Sequence, residues 1–343
     1  MKIDSDIKLD FSDVLLIPKS SELNSRSEVD VEREFVFKYS QFRWKGVPII
    51  VSNMDTTGTV SMARELQKHK IITCLHKYHR AEDIPDDLDR NFYAVSTGIQ
   101  DLDLENLDEI VQKINPHFIC VDVANGYAKR FLEVVKKLRE KYPTKTLIGG
   151  NVVTRDLVEQ LILYGGLDIV KVGIGSGSVC TTRLQTGVGY PQFSATIECG
   201  DAAHGLDAHI ISDGGIQNVG DFSKAFGAGA DFVMCGSMFA GHEECNGETI
   251  EENGKKFKIF YGMSSAAAMN KYHGGVAHYR SAEGKIVKIL YKGKVNETIL
   301  NILGGIRSTM TYINARKIKN IPKCATFIRV TNIVNRIYNG SEI

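Results

Sequence analysis

The amino-acid sequence predicts an α/β fold, a (β/α)8 TIM barrel with an N-terminal extension and a C-terminal active-site flap. Eight short runs of β-branched or apolar residues recur, and segments with helical periodicity lie between them. Continuous apolar strands alternating with amphipathic helices indicate parallel pairing through right-handed crossovers. Eight such units within about 200–250 residues match the size of one barrel. An open, doubly wound sheet is the alternative that this pattern leaves open.

The predicted strands are apolar runs that stop at glycine or polar residues. They are residues 47–52, 71–75, 92–96, 118–123, 146–149, 168–172, 209–212 and 231–235. Helical periodicity appears between them at 60–68, 104–114, 127–141, 154–164 and 218–226. In the third of these segments one apolar stripe faces away from the lysines and arginine, as is typical of a helix packed on a sheet: Phe131, Val134, Val135 and Leu138.

Two regions lie outside the repeat. We expect residues 1–46 to cover the bottom of the barrel or to supply an oligomer contact. Residues 241–284 follow strand eight and delay the final helix, predicted at 298–315. A long loop rich in glycine and charge, leaving the end of the barrel where active sites lie, is interpreted as a flap with a hairpin about Asn253-Gly254. Because no interdomain linker is visible, residues 1–343 are predicted to form one domain.

Composition excludes several classes of protein. Lysine and arginine number 42 and aspartate and glutamate 41, mixed along the chain, so no surface for nucleic acid is indicated. The seven cysteines contain no CxxC pair, which favours a reduced compartment over a disulfide framework or a zinc site. The N-terminus lacks the apolar core of a signal peptide, and no run is long enough to span a membrane. We therefore expect a soluble cytoplasmic protein with no nucleic-acid or membrane partner.

A glycine-rich stretch after the sixth predicted strand carries the strongest candidate for chemistry. Residues 171–191 read KVGIGSGSVCTTRLQTGVGYP, with Cys180 among glycines, two threonines and an arginine. Glycines let the backbone turn its amides and carbonyls toward a bound group. A thiol on such a loop is placed like a nucleophile, beside hydroxyls that can move protons. A lone cysteine is more often a small packed residue, but this setting favours the nucleophile.

Polar residues and glycines follow the other strands, at the end of the barrel where barrel chemistry takes place. The seventh strand leads into Ser212-Asp213-Gly214-Gly215 and the eighth into Gly236-Ser237. Bare amides in such loops can point at an anion, so the two loops together favour a phosphorylated ligand. Asp122 ends the fourth strand, where a ligand contact and a helix cap fit equally well. For His76 and Lys77, after strand two, a cofactor or phosphate role and a surface pair stay equally open.

Four segments carry a resemblance to a known family. They are residues 175–183 (GSGSVCTTR), 186–192 (TGVGYPQ), 261–284 (YGMSSAAAMNKYHGGVAHYRSAEG) and 303–312 (LGGIRSTMTY). In these motifs the chain resembles the IMP dehydrogenase/GMP reductase family, and within it the GMP reductases. The likeness runs from Phe11 to about Arg329, nearly the whole chain. Motifs this long and this dispersed are not expected by chance.

The resemblance implies a reaction and its cofactor. In GMP reductases the loop cysteine attacks purine C2 of GMP, ammonia leaves and a covalent thioimidate forms; NADPH then delivers hydride to C2 and IMP departs. By that likeness Cys180 is the expected nucleophile. Thr182 and Glu283 are expected to move protons to and from the ammonia, although Glu283 taken alone would be interpreted as a solvated acid. The implied function is the NADPH-dependent, practically irreversible deamination of GMP in purine nucleotide salvage.

The family pattern also implies binding residues. GMP and IMP are expected to contact Ser178, Asp213, Gly214, Gly215, Gly236, Ser237, Gly262, Met263, Ser264, Arg280, Ser281 and Gly284. NADPH is expected to contact residues from two subunits of a homotetramer, namely Ser25, Arg26, Lys77, Asp122, Val123, Ala124, Tyr279, Ser308, Thr309 and Thr311. A monovalent cation, usually potassium, would rest on Gly175, Gly177, Cys180 and Arg183.

Two other functions stay open at this point. An IMP dehydrogenase uses the same cysteine and hydride chemistry, but it commonly inserts cystathionine-β-synthase-type (CBS) modules between strands two and three. Here only about sixteen residues, 76–91, fill that interval. The other alternative is a catalytically silent nucleotide-binding barrel, against which the retention of Cys180, Thr182 and Glu283 together argues. Ser176 stands where the family usually has proline, which we expect to loosen the cation loop.

Overall fold

The computed structural model describes residues 3–275, 278–279 and 281–331, and within them eight parallel strands close into a barrel. Three short strands precede it: β1 (Val14–Leu16), β2 (Arg33–Val36) and β3 (Arg43–Gly46). The barrel strands are β4 (Ile49–Val51), β5 (Ile72–Leu75), β6 (Tyr93–Thr97), β7 (Phe118–Asp122), β8 (Thr146–Val152), β9 (Ile169–Val172), β10 (His209–Asp213) and β11 (Phe232–Cys235). Strand β11 pairs with β4, which closes the sheet. The predicted barrel is therefore confirmed over the open sheet.

All eight predicted barrel strands are confirmed, and the largest difference lies in β8. The sequence pattern ends this strand at Gly149, because two glycines and an asparagine resemble a turn, whereas β8 continues to Val152. Gly150 pairs with strands on both sides, and the register with β9 shifts between Gly150 and Val152. Asn151 is therefore held by a strand end and not by a free loop.

Ten α-helices lie in the described residues. They are α1 (Val60–Leu66), α2 (Asp101–Ile114), α3 (Lys129–Lys141), α4 (Arg155–Leu163), α5 (Thr182–Thr186), α6 (Gln192–His204), α7 (Val219–Gly227), α8 (Ala266–His273), α9 (Asn296–Tyr312) and α10 (Ile321–Cys324). The predicted apolar stripe of α3 is buried against the barrel. Between β5 and β6 the described chain has a 3₁₀ helix, Ala81–Asp83, and no α-helix. None of the helices in the described residues has both the length and the apolar composition that crossing a membrane requires.

The hairpin of β2 and β3 closes the bottom of the barrel, which confirms one of the two expectations for residues 1–46. Phe35, Phe37 and Trp44 pack against the inward side chains of the barrel strands. The ring of Phe35 stacks on that of Phe232 with centroids 4.5 Å apart. Burying each such side chain stabilises the fold by roughly 1.5–3 kcal/mol. This plug seals the end of the barrel opposite the Cys180 loop.

Two buried carboxylates tie the bottom together. Asp168 accepts a hydrogen bond from Arg139 at 2.6 Å and from a backbone amide of the N-terminal segment at 2.8 Å. Asp231 accepts from Arg33 and from His204, each at 2.8 Å. Burial opposes the ionisation of Asp231, but its histidine hydrogen bonds and the attraction of Arg33 outweigh burial and hold its pKa well below the usual range. Each carboxylate therefore has its own cation.

After β11 the chain forms a flap at the top of the barrel. Strands β12 (Thr249–Glu252), β13 (Lys255–Tyr261) and β14 (Ile286–Leu290) form an antiparallel sheet, with α8 between the last two. The predicted hairpin is confirmed: Asn253 and Gly254 have φ of 52° and 72°, as the type I′ turn of a tight hairpin requires. Strand β14 extends the flap beyond its predicted end at 284. The last strand, β15 (Phe327–Arg329), pairs with β1.

Candidate active site

Cys180 lies in the loop that leaves the carboxyl end of β9. Gly173 and Gly175 have φ of 154° and 78°, and a Cβ at Gly175 would lie 2.6 Å from the side chain of Arg183. Glycine is therefore required at 175 by both conformation and space. The Cys180 amide donates to the Gly177 carbonyl at 3.0 Å, which curls the loop. The partly buried thiol consequently borders a cavity at the mouth of the barrel.

A line of hydrogen bonds runs from the thiol to a carboxylate of the flap. The Cys180 thiol donates to the Thr182 hydroxyl, with Sγ and Oγ1 3.2 Å apart. The same hydroxyl donates to Oε2 of Glu283 at 2.7 Å. A proton can move along this line toward the carboxylate, which leaves a thiolate, or back toward a departing group. The arrangement combines a nucleophile with a general acid and base.

The backbone of the flap places Glu283 in this line. Its carbonyl accepts from the Thr181 amide at 2.8 Å, and its amide donates to the Ser264 carbonyl at 2.9 Å. Gly284, the next residue, forms an antiparallel bridge with Cys180. A Cβ at Gly284 would lie 2.9 Å from a flap amide nitrogen, so only glycine permits this close approach. The candidate catalytic carboxylate is therefore positioned by the main chain on both sides.

The three candidate catalytic residues share one cavity with most of the predicted substrate residues. Nine of these line it: Ser178, Asp213, Gly214, Gly215, Gly236, Ser237, Gly262, Met263 and Ser264. Gly284 adjoins them through its bridges to Cys180 and Ser265. Ser281 is not among the lining residues that the structure describes, and Arg280 lies outside the described residues. Strand ends and flap thus meet at one site, although they are far apart in the chain.

The glycine-rich loops after β10 and β11 form one wall of the cavity. Gly214 and Gly215 have φ of 94° and 79°, which favours glycine at both. Both amides donate to carbonyls within the protein, that of Gly215 to Ser176 at 3.0 Å. The hydroxyls of Ser178 and Ser237 belong to the same wall. An anion bound here would meet these hydroxyls, while the two glycine amides hold the loop in shape.

A buried lysine, absent from the predicted site, lies at the floor of the cavity. Lys171 is 3% exposed, and its Nζ lies 2.6 Å from Asp122 and 2.9 Å from Asp213. Asn151 donates to the same oxygen of Asp213 at 2.9 Å. Burial disfavours the ammonium, but the attraction of the two carboxylates outweighs burial and raises the pKa of Lys171 well above its usual range. The one feature of the sequence that could have indicated Lys171 is that a charged residue interrupts the apolar run 169–172.

A second residue missed from sequence, Asp55, holds the flap down. Asp55 is 1% exposed, and its Oδ2 accepts from the hydroxyls of Tyr261 and Tyr272 at 2.6 and 2.8 Å. Lys271 Nζ lies 3.0 Å from the same oxygen. The ring of Tyr272 stacks on Tyr78, which follows β5, with centroids 3.6 Å apart. The flap is therefore fastened to loops across the barrel mouth from Cys180.

The two residues that follow β5, His76 and Lys77, lie in different environments. His76 is buried and stacks on His79 with ring centroids 3.9 Å apart. Burial, and next the neighbouring His79, lower the pKa of His76 to about 3, so its ring is neutral at physiological pH. Lys77 lies 3.2 Å from Asp103, and its charge also helps to lower the pKa of Asp122. Of this pair, Lys77 carries the charge, but it is not among the cavity-lining residues in the described part of the chain.

Comparison with known proteins shows the family of the chain. The profile of the IMP dehydrogenase / GMP reductase domain matches residues 8–336. The chain belongs to the IMP dehydrogenase/GMP reductase family. It is similar to GMP reductase 1 of Homo sapiens, with 56% identity over 98% of this chain and 99% of that one. Identity is 53% with GMP reductase of Caenorhabditis elegans, over 100% of this chain and 97% of that one, and 55% with GMP reductase of Klebsiella pneumoniae, over 99% and 100%.

Eight of the ten residues predicted to contact NADPH fall into two groups. One group lines the cavity beside the thiol: Asp122, Val123 and Ala124. The other lies on α9 and on a short helical turn packed against it: Ser25, Arg26, Ser308, Thr309 and Thr311. None of this second group is among the cavity-lining residues in the part of the chain that the structure describes. Tyr279 stands 93% exposed on the flap.

The residues predicted to hold the cation are Gly175, Gly177 and Cys180 of the loop after β9, and Arg183 of α5. The guanidinium of Arg183 donates to Asp10 at 3.0 Å, so this side chain braces the loop from outside. Ser176 donates to the Asp213 carbonyl at 3.0 Å, a tie that a proline could not make. Backbone carbonyls without carboxylates suit a monovalent cation, so the donor set fits such an ion.

Proposed function

We propose that this protein is a GMP reductase, which converts GMP and NADPH to IMP, ammonia and NADP⁺ in purine nucleotide salvage. The observation that carries the proposal is the hydrogen-bonded line from Cys180 through Thr182 to Glu283 at the edge of the cavity. Deamination at a purine carbon needs a nucleophile and a group that protonates the departing amine, and this line supplies both. The relatives that match over nearly the whole chain are named GMP reductases.

The first step exchanges one bond at C2 of the purine. The Cys180 sulfur forms a bond to C2, the bond from C2 to the exocyclic amine breaks, and a thioimidate remains. An amine leaves readily only after it has taken up a proton. Because the Thr182 hydroxyl touches both the thiol and Glu283, the proton lost by the thiol can pass through it to the departing ammonia. This exchange transfers no electrons to or from the protein.

The second step reduces the adduct and frees the cysteine. NADPH, when bound, supplies the hydride that C2 receives. Asp122, Val123 and Ala124 line the cavity, and we propose that they contact the cofactor. The sulfur then leaves C2 as thiolate, and Thr182 is placed to return its proton. The backbone bonds of the flap to the Cys180 loop keep water from the thioimidate in the meantime.

Two features distinguish the protein from an IMP dehydrogenase, which must admit water to the thioimidate. Residues between β5 and β6 form only the 3₁₀ helix Ala81–Asp83 among regular elements of the described chain, which supports a single barrel domain without a CBS module. The flap presents the acid Glu283 to Thr182, an arrangement suited to a departing amine. These two observations favour the reductase.

The proposal extends to the cation, the assembly and the compartment. A potassium ion on the carbonyls of the Cys180 loop would hold the thiol in place, so activity should fall when tetramethylammonium replaces potassium. A homotetramer would complete the cofactor pocket, because the residues on α9 lie away from the cavity of their own chain. A fully active monomer in sedimentation would contradict a shared pocket. Free cysteines throughout support a reducing, cytoplasmic setting.

The deciding experiment follows NADPH absorbance after GMP is added to the pure protein. We expect NADPH to disappear in step with the formation of IMP and ammonia, and NADPH to be preferred over NADH. Chromatography of the nucleotides identifies the product, and IMP with NAD⁺ serves as the opposing reaction. Steady formation of XMP from IMP, with GMP left unchanged, would show a dehydrogenase instead. Binding of GMP without turnover would show a silent barrel.

A further inference from the structure

Lys171 joins two carboxylates that border different parts of the cavity. Asp122 on β7, Gly150 on β8 and Lys171 on β9 lie in one row of the sheet. Ile211 on β10 continues the row, and Asp213, two residues later, therefore points to the same face. A Cβ at Gly150 would lie 2.7 Å from that of Lys171. Because residue 150 has no side chain, the lysine can reach across β8 to Asp122.

The trio of Asp122, Lys171 and Asp213 is short of positive charge. Two carboxylates share one ammonium at 2.6 and 2.9 Å, which leaves a net charge of −1 when all three are ionised. At the bottom of the barrel, in contrast, each buried aspartate has its own cation. Among the described residues, the other titratable groups that act on the trio include two thiols and a lysine: Cys120, Cys235 and Lys77. Lys171 is therefore the group that makes two neighbouring carboxylates tolerable there.

We infer that Lys171 is a positioning residue for the reaction, which holds Asp122 and Asp213 in place as hydrogen-bond acceptors for cofactor and substrate at the same time. The inference rests on the proposed function, since the ligands of the two aspartates come from it. An ionised carboxylate accepts hydrogen bonds from ribose hydroxyls, whereas a protonated one loses part of that capacity. The lysine acts through the aspartates, because both of its ion pairs are with them.

Removal of the ammonium has a direct electrostatic consequence. In the native protein, burial opposes the ionisation of Asp122, but Lys171 outweighs it and lowers the pKa of Asp122. In Lys171→Met, Asp122 keeps its burial and has the negative Asp213 as its neighbour. Both influences raise a carboxyl pKa. The variant should therefore hold a protonated Asp122 at neutral pH and recover the ionised form as the pH rises.

The test measures kcat/KM for NADPH at saturating GMP from about pH 6 to about pH 9, a range chosen to span a raised carboxyl pKa. For Lys171→Met, the ratio to wild type should rise at least about tenfold across this range. Taking the ratio cancels titrations that both proteins share, such as that of the thiol. Lys171→Arg should restore a flat ratio because it keeps the charge. Lys38→Met, which removes a partly buried lysine bonded only to the Leu206 carbonyl, should also stay flat.

A stability measurement separates this role from general damage. The melting temperature is measured at the alkaline end of the same pH range, where Asp122 of Lys171→Met is ionised again. There Asp122→Asn should lower Tm in the wild type, because it removes a partner of Lys171. In Lys171→Met it removes the repulsion between Asp122 and Asp213 and should raise Tm. A flat ratio for Lys171→Met, or an Asp122→Asn effect of the same sign in both backgrounds, would overturn the inference. If the wild type fails to oxidise NADPH with GMP, the proposed function fails, and the sign of the Tm change still decides the charge coupling.

Discussion

At the bottom of the barrel Asp168 and Asp231 are buried and individually paired with cations, whereas at the top Asp122 and Asp213 share Lys171 and border a cavity. The bottom carboxylates also accept hydrogen bonds from backbone amides of barrel strands, namely those of Leu147 in β8 and Ile210 in β10. Because Asp168 accepts from the Tyr39 amide and Asp231 from Arg33 as well, the two carboxylates fasten the plug to the barrel. Among the described residues no cation besides Lys171 forms an ion pair with the top carboxylates, which leaves them acceptor capacity. Charges that hold the fold are fully paired, and charges that serve the site are left with capacity for a ligand.

The largest effect expected from this comparison is the loss of the nucleophile at the top. Cys180→Ala should lower kcat by at least about 10⁴-fold, because the covalent step has no substitute nucleophile. GMP should still bind, since the glycine-rich wall is unchanged. Single-turnover mixing with radiolabelled GMP measures the adduct, which should be absent. Cys324→Ala, at a partly buried thiol far along the chain, is the control; equal turnover in the two variants would contradict the role of Cys180.

The next largest effect is expected when the proton path between the thiol and Glu283 is interrupted. Thr182→Val keeps the shape of the side chain but cuts the line between the thiol and Glu283. General acid–base help is worth about 10²–10⁴-fold, so adduct formation from GMP should slow by that amount. Adduct formation from IMP and NADP⁺, which releases no amine, should slow much less. Thr181→Val is the matched neighbour; if Thr182→Val slows both routes equally, Thr182 only positions the thiol.

A change at the bottom should affect stability and leave chemistry intact. Asp168→Asn keeps the shape but removes the charge facing Arg139, which then stays buried without its counter-ion. Breaking a buried ion pair costs about 3–5 kcal/mol of unfolding free energy. Urea unfolding measures the loss, and kcat per folded molecule should equal that of wild type. The control is Glu65→Gln, which removes an exposed ion pair with Lys68 and should lower the unfolding free energy by less than about 1 kcal/mol. A lower kcat per folded molecule in Asp168→Asn would contradict the comparison between bottom and top.

The smallest expected effect is the pH dependence of the stability that His204 contributes at the bottom of the barrel. The hydrogen bond to Asp231 raises the pKa of His204 above its usual value against the opposing effect of burial. Its contribution to stability is therefore complete below the unfolded pKa and is lost as the pH rises through the folded pKa. With the imidazole 43% exposed, His204→Gln should cost less than about 1 kcal/mol, more at about pH 6 than at about pH 8.5. His69→Gln, hydrogen-bonded to Asn296 and not to a carboxylate, should show no such difference.

The barrel could be predicted because its signals are local. Each strand is a continuous apolar run buried on both faces, and each stripe such as that of α3 repeats within one helix. The sequence pattern did not predict the end of β8, because Gly149, Gly150 and Asn151 resemble a turn when their pairing partners are unknown. Pairing with β7 and β9 keeps them in the sheet. The bottom plug was predicted only as one of two alternatives, since its hairpin packs on residues distant in sequence.

The sequence by itself determined the composition of the Cys180 loop and so predicted a nucleophile there, because Cys180, Thr182 and their glycines are neighbours in the chain. Only the tertiary structure decided how Glu283, Lys171 and Asp55 act. The physical reason is that a charge has meaning through its neighbours within a few ångströms, and those neighbours come from other strands and from the flap. In the run 169–172 a lysine looks like an interruption; inside the closed barrel, between two carboxylates, it is the counter-ion on which both depend.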